Sequence, residues 1–390
     1  MSARGLRTPG LDWLLMGAVL TLLTMGTLLV WSSTASREVL TGGQGTAYLT
    51  KQLVNIAIGL VLMVLVLATD HRLVRILAPI VYVGSIVGLV LVLVMGSTIN
   101  GSRSWLVVGG MSLQPAEFAK FGVVIGMALL VAERAEGRWR HRVGLVDVVL
   151  MLAVAAVPAA LILLQPDLGT MLVLSATVFG VLAAAGTPRR WLALLGAGGV
   201  TAAVAAVAMG VLKDYQVDRF MAFTNPGLDP RGAGYNTEQA RIAVGNGGVF
   251  GQGLFGGSQT RSGFVPEQHT DFIFTVAGEE LGLLGAGALI LLMCVVVWRA
   301  LAIAAATEDM FGRVAAAGIA CWFGFQAFQN IGMCLGIMPV TGVPLPFVSS
   351  GGSSLFAAML AVGLLQNIHM RSTAAIPTRL LTDQRTAALR

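Results

Sequence analysis

Four stretches of this 390-residue chain concentrate side chains able to move a proton or hold an anion. Residues 100–105 read Asn-Gly-Ser-Arg-Ser-Trp and are followed by Gln114, Glu117 and Lys120. Three apart on a helix, Glu117 and Lys120 share a face. Pro115 suits the first turn of that helix, with Glu117 near its positive end. Ionisable residues inside an apolar segment mark function by default; the alternative is an ion pair that only neutralises itself. Residues 165–170, Gln-Pro-Asp-Leu-Gly-Thr, offer Asp167 either as the cap of the next helix or as a site residue. Residues 266–274, Pro-Glu-Gln-His-Thr-Asp-Phe-Ile-Phe, place Glu267, His269 and Asp271 close together. A carboxylate there, beside apolar walls, can titrate high and serve as a general base; the alternative is a helix cap at Thr270 or Asp271. As a metal site the cluster is weak, because no matching ligand spacing recurs. Residues 341–354, which include Ser349, are rich in Gly and Ser and lead into a helix N-terminus, where backbone amides can approach an anion. A re-entrant turn is the other reading of that stretch.

Such clusters need elements to hold them, and composition says of what kind. The chain is 56% hydrophobic and 11% charged, with a mean hydropathy of +0.81. A soluble domain carries about 25% charged residues, so the bilayer is the natural solvent here. Apolar segments at 11–33, 52–69, 74–95, 117–133, 144–164, 168–186, 191–212, 271–298, 314–337 and 353–369 are each long enough, or nearly so, to cross about 30 Å of hydrocarbon as a helix. The expected fold is an all-α polytopic membrane protein, a bundle of about ten transmembrane helices forming one integral membrane domain over 1–390. The first apolar run exceeds a signal-peptide core of about 7–15 residues and is taken as a retained span.

A net charge of +6 does not point to nucleic acid, because the basic residues are scattered through short loops without interleaved aromatics. Of the 25 Lys and Arg, sixteen fall in the N-terminal segment, the alternate loops that follow it and the tail 371–390. Eight fall in the opposite loops, five of them in one long loop where the positive-inside rule has less force. Both termini are therefore expected in the cytoplasm, and the polar clusters on the extracytoplasmic side with the long loop 213–270. That loop is expected to carry a short amphipathic helix over 235–244, lying on the bilayer surface. Cys294, Cys321 and Cys334 have no metal or redox spacing and read as buried small hydrophobes.

Five motifs, in order along almost the whole chain, resemble the SEDS family (shape, elongation, division and sporulation): residues 101–105, 114–120, 165–170, 266–274 and 344–354. Segments 340–346 and 363–368 are more similar to its elongation branch than to its division branch. Ala116 stands where the family often has Ser, and Ser350 where an aromatic is common. The resemblance implies a ten-span bundle in the bacterial cytoplasmic membrane and peptidoglycan glycosyltransferase activity on lipid II, in cell elongation and shape. It also implies a class B penicillin-binding protein as the transpeptidase partner. The family's essential external aspartate corresponds to Asp271, its glutamate and lysine to Glu117 and Lys120, and its loop tryptophan to Trp105. Arg103, Trp105, Gln114, Gln165, Asp167, His269 and Ser349 are the expected substrate-binding positions.

The chemistry suits these residues. An acceptor 4-hydroxyl must lose its proton as it attacks an anomeric carbon, and a lipid diphosphate leaves without needing a strong acid. Asp271 is expected as the base, with Lys120, Arg103 and a divalent cation (Mg2+ or Mn2+) balancing the diphosphate. Glu117 would position Lys120 or help bind the cation, and no organic cofactor is expected. Membrane lipids and lipid II are the expected partners besides the transpeptidase. The alternatives on this topology are a flippase or transporter of lipid-linked precursors and a division-type polymerase. Transporters usually carry internal repeats and ionisable residues at the midplane, and neither is evident. A scaffold would not need Glu117, Lys120 and Asp271 to converge.

Overall fold

The computed structural model describes residues 10–37, 42–99, 102–108, 111–136, 143–210 and 232–387. Ten long helices fall on the ten expected spans among them. They are α1 (Trp13–Ala35), α2 (Ala47–Ala68), α3 (His71–Met95), α4 (Pro115–Ala135), α5 (Leu145–Leu164), α6 (Leu168–Ala184), α7 (Arg189–Ala208), α10 (Ile273–Ala306), α11 (Met310–Cys334) and α12 (Gly352–Ala387). Eight are long and apolar enough to cross a membrane; α6 is shorter, at 17 residues. The remaining one, α11, is 25 residues long and interrupted by Gln326, Gln329 and Asn330, all turned inward. The residues read as a tail continue α12 as one helix to Ala387.

Short polar side chains start the helices where the pattern allows. Asp12, Asp167 and Asp309 accept hydrogen bonds from the backbone N–H of Leu15, Thr170 and Gly312, satisfying amides that have no partner within the first turn. The centre of the bundle is built on α4, α11 and α12, whose faces are buried nearly all round, whereas α7 buries none of its residues. Small residues let helices approach. A Cβ on Gly180 would lie 2.2 Å from Cys321 Sγ, which places α6 tightly against α11.

Charged pairs gather at one end of the bundle. Arg299 at the far end of α10 donates to Asp12 at the start of α1 (2.8 and 2.6 Å), and Arg371 donates to Asp70 (3.0 Å). Arg134 pairs with Asp147 at the same level. The connections 96–114, 165–167, 267–272 and 335–351 lie at the opposite helix ends.

One expectation needs correction, and one connection adds to the helical bundle. The addition is a small antiparallel sheet of β1 (Ser97–Ile99), β2 (Ser102–Val108) and β3 (Met111–Leu113) in the order β1-β2-β3, with Ser97 opposite Trp105 and Leu106 opposite Leu113. The run Trp105–Val108 favours strand pairing over a loop, being aromatic, branched and held between two close helix ends. The span expected at 271–298 starts later and is not continuous. Residues 267–272 are a turn, the helix begins at Ile273, and Gly282 interrupts it with φ 67 and ψ −167. Only a residue without Cβ adopts that conformation readily.

The break is repaired from the long loop, which folds into α8 (Ala233–Asn246) and the single turn α9 (Ser258–Ser262). The expected helix at 235–244 lies inside α8, which buries Thr237, Ala240 and Ala243 against α10 and α11. Between α8 and α9 the backbone pairs with the broken ends. Leu283 and Leu284 N–H donate to the carbonyls of Gly248 and Val249 (2.9 and 3.2 Å). Gln252 and Gly253 N–H donate to those of Glu279 and Glu280 (3.0 and 2.9 Å). The buried Glu279 carboxylate accepts from Gln259 N–H, Thr260 N–H and the Thr260 hydroxyl (2.7, 2.9 and 2.7 Å), which offsets the cost of burying it. Gly251 has φ 80, and a Cβ there would lie 2.1 Å from Glu280 O. Replacing Gly251 with Ala should therefore cost about 3 kcal/mol or more, combining left-handed strain with the clash. A thermal-unfolding scan of the detergent-solubilised variant, showing a clearly lowered midpoint, is the check.

Candidate functional site

The end opposite the arginine pairs opens into a cavity of about 240 Å³. Four connections wall it: Ser104 and Trp105 from β2 with Gln114 at the start of α4, Asp167 from the α5–α6 turn, Glu267, Thr270 and Asp271 before α10, and residues of 341–354 leading into α12. Each cluster picked out in the sequence contributes at least one lining side chain, although they are spread over some 250 residues.

Asp271 is held from both sides. Its N–H donates to Glu267 O (3.0 Å), closing the turn, and its own carbonyl accepts from Asn330 Nδ2 (2.7 Å). The same Asn330 amide donates to Val343 O (2.7 Å), so one α11 side chain ties the Asp271 turn to the loop before α12. Gly342, at φ 71, comes so close that a Cβ would lie 3.2 Å from the Asp271 carboxylate. Across the cavity Asp167 accepts from Thr170 N–H (2.9 Å), the Thr170 hydroxyl (2.8 Å) and Gln114 Nε2 (3.1 Å). It is thus both the α6 cap and part of the cavity wall. Burial raises its pKa above the ordinary carboxylate value, against the pull of Thr170 and of Lys120. With Glu267, three carboxylates line the cavity, and no described Lys or Arg does.

Glu117 and Lys120 are not on the cavity surface. Both are buried, with Lys120 Nζ 2.7 Å from Glu117 Oε1 and 2.7 Å from Gln326 Oε1. Trp322 donates its indole N–H to the same Gln326 oxygen (2.7 Å), and its ring lies 5.2 Å from the ammonium. Gln326 Nε2 donates in turn to Pro344 O (2.9 Å), and Pro344 lines the cavity. The pair therefore supports the cavity from behind. Direct contact of Lys120 with a diphosphate, or of Glu117 with a cation, does not fit this packing, because α11 closes over them.

Other expected positions separate in the same way. Gln165 is buried and donates to Leu89 O (3.2 Å), and Ser349 accepts from Leu345 N–H (2.8 Å) within its own turn. His269 turns away from the cavity to an edge contact with Tyr48 (4.8 Å), while its carbonyl accepts from Ser350 N–H (2.8 Å). These three shape the connections and do not line the cavity. Arg103 lies in β2, paired with Thr98, and its side chain is outside the described residues. Gln326 and Asn330 were missed from sequence, although a signal existed: they are four apart in an apolar segment, on one helix face. As for a metal, no three His, Cys, Asp or Glu side chains cluster among the described residues to cage one. Mg2+ is commonly held by one or two carboxylates plus substrate phosphate, and the cavity wall is compatible with that arrangement.

The fold and site define a polytopic membrane protein whose carboxylate-lined cavity opens at one end of a helical bundle. Residues 12–374 match the FtsW/RodA/SpoVE family of cell cycle proteins, and the chain belongs to that family. It is 36% identical to stage V sporulation protein E of Bacillus subtilis over 363 residues, covering 93% of this chain and 97% of that one. It is also 36% identical to the peptidoglycan glycosyltransferase MrdB of Escherichia coli K12 over 364 residues, covering 92% and 93%. Among solved structures it is similar to a chain of a peptidoglycan synthase complex that coordinates polymerization and crosslinking, with a TM-score of 0.77, 32% identity and coverage of 93% and 98%. It is similar as well to the rod shape determining protein RodA of Thermus thermophilus, with a TM-score of 0.66, 32% identity and coverage of 92% and 97%.

Two outcomes follow from the buried groups. Lys120→Met strands the Glu117 charge and should cost about 3–5 kcal/mol, whereas Lys120→Met with Glu117→Gln should cost much less; thermal unfolding of both variants measures the difference. Burial holds the His269 pKa below its ordinary 6.5, with Arg37 and Lys51 adding to the effect and Glu267 opposing it. The unfolded chain then takes up this proton first as pH falls, so stability should drop below about pH 6.5 and level off beneath the lowered folded value. His269→Phe should flatten that part of the stability–pH curve.

Proposed function

We propose that this protein is a peptidoglycan polymerase, joining lipid II units into glycan strands at the outer face of the cytoplasmic membrane. The observation that carries this reading is the position of Asp271, on the wall of a cavity built from all four polar clusters at the end away from the arginine pairs. At about 240 Å³ the cavity is smaller than ordinary ligand pockets of roughly 300–1,000 Å³. That size suits the reacting sugar ends, while the lipid tails stay in the bilayer. The arginine distribution supports cytoplasmic termini, which sets the cavity on the outer side.

In the step itself, Asp271 accepts the proton of the acceptor GlcNAc 4-hydroxyl as that oxygen bonds to the donor's anomeric carbon. The bond from that carbon to the diphosphate oxygen breaks, and the lipid diphosphate leaves with the electron pair. Gln114, Ser350, Ser353 and Ser354 are placed to hydrogen-bond the sugars, and Trp105 offers an apolar face. Asn330 and Gly342 hold the base in place. Lys120 acts through Gln326 and Pro344 as a positioning residue, and its field also favours the ionised form of Asp167. A divalent cation entering with the diphosphate would be held by carboxylates of the cavity wall, Asp167 and Glu267 among them, and would supply countercharge.

The partner we propose is a class B penicillin-binding protein, supported by the similarity to a synthase complex that couples polymerization to crosslinking. An elongation role is our proposal for the branch, resting on segments 340–346 and 363–368, because relatives named for sporulation and for wall synthesis are equally similar. The flippase alternative is less well supported, since the ionisable residues lining the cavity gather at one end of the bundle. Asp271→Asn should lower polymerisation of purified lipid II by at least about 10²-fold while the thermal midpoint stays near that of the parent. Unchanged glycan synthesis by that variant would remove Asp271 as the base.

A further inference from the structure

The segment joining α8 to α9 has a property that the reaction does not use. Residues 245–257 contain no Asp, Glu, Lys or Arg, yet present large apolar side chains outward. Phe250 is 82% exposed, and Val249 and Leu254 are also exposed. In a water-facing loop such groups would be unsupported. Here they adjoin a membrane-spanning helix, because Leu283 and Leu284, whose N–H groups bond to Gly248 and Val249 carbonyls, are themselves turned outward from α10.

Two helices give the depth of this segment from a common starting level. The Arg299–Asp12 pair sets α10 and α1 at a common level near the arginine-rich end. Along α10 from Arg299 to Leu283 is roughly 16 residues, or about 24 Å at 1.5 Å per residue. Along α1 from Asp12 to Trp31 is roughly 19 residues, or about 28 Å. Both distances end near the far edge of a hydrocarbon layer about 30 Å thick. Trp31 meets Phe255 edge-on at 4.9 Å, and tryptophan is the residue enriched at that edge.

Non-helical backbone is tolerated at membrane depth only when its polar groups are satisfied within the protein. Hydrogen bonds within the protein satisfy the N–H groups of Gly251, Gln252, Gly253, Phe255 and Gly256 and the carbonyls of Gly248 and Val249, which goes most of the way to that condition. We propose that residues 247–256 form a re-entrant turn seated in the leaflet on the cavity side, with Val249, Phe250 and Leu254 among the lipid acyl chains just below the headgroups. The occupant is lipid and not a protein partner: the apolar surface is continuous with the lipid-facing side of α10 and lies at a depth the bilayer fills.

The test uses the full chain in nanodiscs of mixed zwitterionic and anionic phospholipid, with Cys294→Ala and Cys321→Ala to silence native thiols. A nitroxide is attached in turn after Phe250→Cys, Val249→Cys and, as an aqueous reference on α9, Arg261→Cys. Collision with oxygen should exceed collision with a water-soluble nickel chelate at 250 and 249, with the order reversed at 261. Nickel accessibility at 250 and 249 equal to that at 261 would show a water-facing loop, the surface a partner protein would need, and would overturn the proposal. Exclusion of both reagents at the two sites, as in a protein interior, would overturn it as well.

Discussion

A backbone crossing hydrocarbon must find a partner for every N–H and C=O inside the protein, and the rest of this structure depends on how that demand is met at Gly282. A continuous helix would have met it locally and carried the chain straight through. The left-handed glycine instead ends one helical run and starts another, stranding carbonyls at Glu279 and Glu280 and amides at Leu283 and Leu284. The loop from α8 to α9 pairs with all four, and the Glu279 carboxylate fastens α9 to the same place. The short helical run 273–281 is thereby held by the loop at one end and presents the Asp271 turn at the other.

This arrangement relates the long loop to the chemistry. Loops of this length are usually disordered or functional, and the described part of this one is neither loose nor a lid. It completes a membrane helix and fixes the height of the Asp271 turn, where the proposed base sits. On the other side of the cavity α11 has the equivalent task, through polar side chains in place of backbone. Asn330 joins the Asp271 turn to Val343, and Gln326 joins the Lys120–Glu117 pair to Pro344. The cavity thus has a wall of carboxylates and, behind it, a buried cation that is compensated but still near enough to bias Asp167. Separating the two layers keeps the ammonium from collapsing onto the carboxylates that line the open space, where a bound substrate would have to displace it.

Much of this was determined by the sequence alone. Apolar runs of about 20 residues have few options in a bilayer, so the ten helices and their approximate limits could be read directly. The clustering of Asp167, Glu267 and Asp271 at helix ends away from the arginines was legible for the same reason, because helix direction alternates with each span. What tertiary structure alone decided was which of the polar residues reach the cavity. Glu117, Lys120, Gln165, His269 and Ser349 share motifs with lining residues, yet lie one helix face or one turn away from the open space, and motif membership carries no information about that rotation. The repair at Gly282 joins residues some 35 apart in sequence, Gly248 and Val249 to Leu283 and Leu284, so local pattern did not disclose it. Hydropathy sets where a chain crosses the membrane, because that cost is summed residue by residue; the face each polar group presents is set by the neighbour it packs against, and that neighbour is supplied only by the fold.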